Sequence, residues 1–357
     1  MLLEGLHIPL TTPFHPDGRL NLPKLAANVA RYSKTPAAGL IVLGPSGEPT
    51  LLSDDETREA LRVAAEAAAP EKVLTAGISR NSVSATLDLA DFAAELNYDA
   101  ALIGLPSILA SNANAVGEHR LRELLTYFQT IADRSPLPIV LLSVNHRSIP
   151  TEAAIELAAH PNVTGLLNVD RSESYPAAIG KILARTTSVK RDVPVTSIFG
   201  AVTARMKMAA DRTVSNLVSA ITLTGATTAI AEPPSQPALR TRTKSVGFQI
   251  LAGHTPEMLN GLRAGAVGIA PAFAACVPQA CYEVFAAWKD DDQALAEEKQ
   301  ARLREAAHLA EETLGPASLK FACDLNGYFG GLPRLPHLPL TGAQRAEVEL
   351  RMKELRN

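Results

Sequence analysis

The sequence is poor in cysteine, with three in 357 residues (Cys276, Cys281, Cys323) and no CxxC pair. That excludes a disulfide framework and makes a reducing, cytoplasmic compartment the expectation. It has no excess of charge of either sign. Thirty-four basic against 37 acidic side chains leave a net charge of −3, which offers no electrostatic footprint for nucleic acid. It lacks an apolar run of about 18 residues, so no membrane span is expected. No GxGxxG follows any strand-like segment, which removes the commonest reason to expect an open dinucleotide-binding sheet. Without HxH or HExxH spacing no metal site is expected, although His146, His254, Asp170 and Glu48 are suitable ligand types. A strand-like segment, Gly5 to Leu10, begins almost at Met1 and leaves no room for a signal or transit peptide.

What is present is a rhythm. Apolar residues make up 46% of the chain, enough for a full core. Runs of four to six apolar or small residues recur at Leu6–Pro9, Gly39–Leu43, Val73–Ala76, Ala100–Ile103, Ile139–Val144, Val163–Asn168, Phe248–Ala252 and Ala266–Ile269. Each reads as a strand buried on both faces. Amphipathic helical windows separate them, several with start signals. Ser53 with Glu56 forms a capping-box pattern, Ser82 and Thr151 are polar openings, and Thr255-Pro256 puts proline at a first helical position. Eight strands alternating with helices predict an α/β fold, a (β/α)8 TIM barrel. The barrel is expected over residues 1–290 and a C-terminal helical extension over 291–357.

One stretch interrupts the rhythm. Arg191 to Lys244 is inserted before the seventh strand, where a short loop is expected, and carries seven basic and three acidic residues. Ala201–Leu223 has weak helical character, and Glu232–Pro237 reads as a turn or extended segment. The insertion reads as a surface excursion, with a lid over the barrel mouth or an oligomer contact as alternatives.

The residues after the second strand carry a resemblance. Gly44-Pro45-Ser46-Gly47-Glu48, with Thr11-Thr12-Pro13-Phe14 before it and Leu52-Ser53-Asp54-Asp55-Glu56 after it, resembles the dihydrodipicolinate synthase / N-acetylneuraminate lyase family. The likeness continues through Ser135–Val144, His160–Gly165, Phe248–Gly253 and Gly265–Gly268. Asn326-Gly327-Tyr328-Phe329-Gly330-Gly331 is similar to the 4-hydroxy-2-oxoglutarate aldolase branch. The resemblance implies a class I aldolase-type lyase, in which a barrel lysine forms a Schiff base with a 2-oxo acid and a tyrosine relays protons. A lysine desolvated inside a barrel has a lowered pKa, so its neutral amine attacks a carbonyl near neutral pH.

Carried over residue by residue, the resemblance breaks at the reacting positions. The lysine that follows Gly-hydrophobic in the sixth strand is replaced by Leu167, after Gly165-Leu166. The tyrosine that ends the fifth strand is replaced by Leu142, and the aromatic pair after Pro106 by Ser107-Ile108. Pro45 replaces the first loop hydroxyl, and Ser46 keeps the second. Arg147 stands where many relatives place an arginine near the mouth. The candidate substrate-binding residues are therefore Ser46, Arg147 and Ala270. His146, His254 and Asp170 are the candidate acid/base groups.

Three functions remain open from the sequence. The first is a degenerate member without Schiff-base chemistry, retained as a small-molecule binder or as a partner of an active paralogue. The second is an enzyme with lysine-independent chemistry on a carboxylate substrate. The third is a lyase that draws a relocated lysine, Lys207 or Lys244, from the insertion. The expected ligand is a small 2-oxo acid or other carboxylate, with no cofactor, and a homo-oligomer is expected by resemblance.

Overall fold

The computed structural model describes residues 1–110, 118–145, 147–171, 174–210 and 239–355. Among these residues there are ten strands: β1 (Gly5–Pro9), β2 (Gly39–Val42), β3 (Val73–Gly77), β4 (Ala100–Gly104), β5 (Ile139–Val144), β6 (Val163–Val169), β7 (Arg191–Thr196), β8 (Thr241–Val246), β9 (Gln249–Ala252) and β10 (Gly268–Ile269). Eight of them close a parallel barrel in the order β1-β10-β9-β6-β5-β4-β3-β2. The apolar runs are buried on both faces because helices cover the outside and the strands' own side chains fill the inside. The inner filling includes Leu3, Ile41, Leu102, Val140, Leu167, Leu251 and Ala270.

Local signals explain several helix starts. Ser53 and Glu56 form the predicted capping box at the Asp54–Ala67 helix, and Ser82 accepts from the backbone of Ala85. Thr151 begins its helix but does not cap it; Pro150 holds the N-cap position. Thr255-Pro256 opens a 3-10 turn, and the α-helix that follows spans Met258–Arg263.

The insertion holds regular structure that the sequence reading left out. Strands β7 and β8 form a two-stranded antiparallel ribbon, Arg191 opposite Val246 and Thr196 opposite Thr241. Val193, Val195 and Val246 bury one face of this ribbon against Leu2. Lys244 pairs with Glu4 at 2.7 Å, Arg191 donates to the carbonyls of Ala158 and His160, and Ala204 donates to Asp99. Glu4, Asp99 and His160 all precede strands, so the described part of the insertion covers the N-terminal face of the barrel. A lid over the mouth is therefore corrected for this part, and Lys207 and Lys244 lie at the wrong end to serve a site there. Most of the predicted Ala201–Leu223 helix and the Glu232–Pro237 turn lie outside the described residues.

After β10 the chain continues as helices Pro278–Lys289, Gln293–Ala307, Pro316–Leu325 and Gly342–Met352, with a π-helical turn at His308–Thr313. The last segments fold back onto the early barrel. Tyr328 stacks on Tyr32 with ring centroids 4.3 Å apart, and Arg31 donates to Gly327. Among the described residues, no helix is long and apolar enough to cross a membrane.

Candidate active site at the barrel mouth

The C-terminal ends of β2 to β5 surround a cavity of about 700 Å³. This is the end of the barrel where catalytic and binding groups of the fold collect. Its wall is built from Leu43, Gly44 and Pro45 after β2, Ser79, Arg80 and Asn81 after β3, Leu105 to Ser107 after β4, and Leu142, Val144 and Arg147 at and after β5. Pro316 and His337 of the C-terminal extension complete it.

The loop after β2 is held in an uncommon shape. Leu43 (φ +57°) and Glu48 (φ +54°) both occupy the left-handed region, which non-glycine residues enter only under constraint. Two features supply that constraint. A Cβ on Gly77 would lie 2.0 Å from the Leu43 carbonyl oxygen, so only glycine lets β3 pass this close. The Glu48 carboxylate is buried, pairs with Lys320 at 2.5 Å and accepts the Arg334 backbone N–H at 3.1 Å. The Lys320 ammonium also donates to the Leu332 carbonyl and sits 4.2 Å from the centroid of the Phe14 ring. Burial holds this amine below its ordinary range, while Glu48 pulls it back up. Glu48 is thus a structural acceptor, and its cation, Lys320, comes from a distant C-terminal helix that no local pattern places here.

The cavity brings together five of the singled-out residues, Pro45, Glu48, Ser107, Leu142 and Arg147. Leu142 lies on its floor and Arg147 on its rim. Arg80 is committed elsewhere, donating to Asp54 at 3.0 Å and to Thr57 at 2.9 Å. The half-buried Arg147 guanidinium forms no hydrogen bond or ion pair with any described residue. Leu167 stands directly beside Leu142 in the β5–β6 ladder, and both side chains belong to the apolar filling of the barrel. Leu167 is 1% exposed and packs toward Gly253. All eleven lysines fall among the described residues, and none lines the cavity.

The other candidates lie apart from it. Ser46 is buried within its loop and is not in the cavity wall, and Ala270 is enclosed in the barrel interior. His146 lies outside the described residues. Asp170, at the end of β6, does not line the cavity, and its backbone N–H donates to Asn168. His254, after β9, is buried and pairs through Nε2 with Glu312 at 2.8 Å. Glu312 also holds His308 at 3.1 Å, so the carboxylate bridges two imidazoles on the π-helical turn's side of the mouth. Next to it, Glu311 accepts from the Thr255 hydroxyl and from the Phe273 backbone, and burial pushes its carboxyl up to about 7. Sequence reasoning missed both glutamates, because they belong to a charged helix that reads as a solvated face. Among the described residues, no group of three or more His, Cys, Asp or Glu is arranged to hold a metal ion.

The model of the dihydrodipicolinate synthetase family matches residues 2–179 and 206–355. The chain belongs to this family. The unmatched stretch between the two matched ranges contains β7. A 4-hydroxy-tetrahydrodipicolinate synthase of Exiguobacterium sp. is 25% identical over 99% of this chain and 98% of its own length. The corresponding synthase of Acidiphilium cryptum is 24% identical over 99% of both. Among solved structures, a dihydrodipicolinate synthase from Bacillus anthracis matches all of both chains with a TM-score of 0.75 at 18% identity. A prophage protein of the same family from E. coli K12, solved in complex with pyruvate, matches 99% of both chains with a TM-score of 0.73 at 20% identity. At these identities the solved structures speak to the fold, a dihydrodipicolinate synthase-like barrel.

Proposed function

We propose that this chain is a family member without Schiff-base chemistry, whose mouth cavity binds a small carboxylate non-covalently. The observation that carries this reading is the pair Leu142 and Leu167. They stand side by side in the β5–β6 ladder, facing the barrel interior, at the positions where the family resemblance expects the relay tyrosine and the reacting lysine. A leucine has no lone pair to attack a carbonyl, and no hydroxyl to pass a proton. The lysine nearest the loop, Lys320, is closed off by Glu48, Leu332 and Phe14 rather than presented to a ligand. Arg147 supports the carboxylate part of the reading, because its fork of donors is uncommitted at the rim.

Borohydride reduction of the purified chain in the presence of pyruvate or 4-hydroxy-2-oxoglutarate tests this directly. Intact-mass measurement is expected to return the unmodified chain; a reduced adduct on any lysine refutes the reading.

A further inference from the structure

We infer that the mouth cavity selects an amphipathic monocarboxylate, one carboxylate joined to an unbranched hydrocarbon tail of about six to eight carbons, rather than a short polar 2-oxo acid. The inference rests on the non-covalent carboxylate site proposed above and names its ligand class.

Three observations carry it. First, the floor is hydrocarbon: Leu43 after β2, Leu102 of β4, and Leu142 and Val144 of β5 face the cavity, with Thr50, Ser79, Asn81 and Ser107 on the wall around them. A 2-oxo or hydroxyl group pressed against such a floor loses water without a replacement partner. Second, among the described lining residues one permanently charged side chain is uncommitted, with His337 as the titratable group beside it. Arg80 is spent on Asp54 and Thr57, and Glu48 on Lys320, which leaves the Arg147 fork at the rim. One free cation above an apolar floor matches a ligand with one anionic end and one apolar end. Third, the cavity of about 700 Å³ is the size of a site for a drug-sized molecule and far exceeds a three-carbon acid. A pyruvate-sized ligand on Arg147 would leave the leucines facing water.

Each methylene moved from water to that floor is expected to tighten binding by about two- to fourfold. The test is calorimetric titration of the full chain with butanoate, hexanoate, octanoate and pyruvate, with 1-octanol as the uncharged control. The expected result is an affinity that rises at every step from butanoate to octanoate, with pyruvate at or below butanoate. Arg147→Ala is expected to lose at least about tenfold for octanoate and to leave 1-octanol unchanged. Val144→Thr, which keeps the side-chain shape, should flatten the chain-length dependence. Leu142→Ser should do the same, and Val144→Thr keeps the test valid if Leu142→Ser unfolds.

Pyruvate binding tighter than octanoate overturns the inference. So does affinity independent of chain length, an octanoate affinity indifferent to Arg147→Ala, or no binding of any acid in the series. The first three leave the reading beneath it standing; no binding of any acid would also remove its carboxylate part, and its loss of Schiff-base chemistry is tested by the borohydride experiment alone. A borohydride-trapped adduct would refute that reading whatever the chain-length series shows, and absence of octanoate binding would leave an unmodified chain unmodified.

Discussion

Two buried ionisable side chains pull the stability of this protein in opposite directions with pH. Burial pushes the Glu311 carboxyl up to about 7 and His7 down to about 4. Glu311 binds more protons folded than unfolded between about pH 4.5 and 7, so its contribution is complete at low pH and is lost as pH rises through that window. His7 binds fewer protons folded than unfolded between about pH 4 and 6.5, so its contribution is complete above that window and is lost on acidification. The two slopes nearly cancel between about pH 4.5 and 6.5. Glu311→Gln keeps an oxygen that can accept from Thr255 and Phe273 and removes the titration. Urea unfolding of this variant is therefore expected to show a slope of stability against pH that is more positive than the parent's through that range. At pH 7.5 the variant should exceed the parent by on the order of 3 kcal/mol. Parallel profiles for the two proteins would show that Glu311 does not hold its proton in the folded state.

The candidate residues divide along the same scale. Leu142 and Arg147 meet at one cavity because the first lies near the end of β5 and the second follows it, whereas His254 and Asp170 follow β9 and β6 on another part of the rim. The ends of strands can be read from a run of apolar residues. Which side chains share a pocket depends on the curvature of the closed sheet and on what packs over it, and Pro316 and His337 come from a tail that no strand pattern locates.

At the scale of elements, the loop after β2 and the Pro316–Leu325 helix act as one unit. Lys320 and Glu48 are both fully enclosed, so each carries the other's charge in a dry environment. Lys320→Met should cost about 3–5 kcal/mol by leaving the Glu48 charge buried alone. Adding Glu48→Gln should recover part of that loss, and the double-mutant cycle read from urea midpoints gives the coupling. Additive losses would mean that the two groups act separately. The neighbouring capping box offers a smaller check. Ser53→Ala removes the oxygen that accepts the Glu56 N–H and should cost about 1 kcal/mol, measured in the same way. That box was legible from four residues, because capping is a local geometry. The Lys320–Glu48 pair was not, because its partners are far apart in sequence and the helix that carries Lys320 shows no charge pattern pointing inward.

For the whole molecule, the two faces of the barrel have separate jobs. The mouth holds the cavity, and the β7–β8 ribbon covers the opposite, N-terminal face against Leu2 and Glu4. Val195 is fully buried there. Val195→Ala should therefore cost about 1–3 kcal/mol in unfolding free energy and leave carboxylate binding at the mouth unchanged. A change in affinity larger than about twofold would show that the ribbon and the cavity are coupled.

The sequence alone was sufficient for the barrel, since strands buried on both faces must be nearly all apolar and eight such runs separated by amphipathic helices have one common closed solution. It also placed Leu142 near the end of the fifth strand and Leu167 two residues after Gly165, and the β5–β6 ladder sets these two side by side. The tertiary structure decided the rest. It paired β7 with β8 across some fifty residues, turned the insertion to the N-terminal face, and brought Lys320, Pro316 and His337 to the mouth. Those contacts join segments with no local signal for one another, so only the packed chain brings them together.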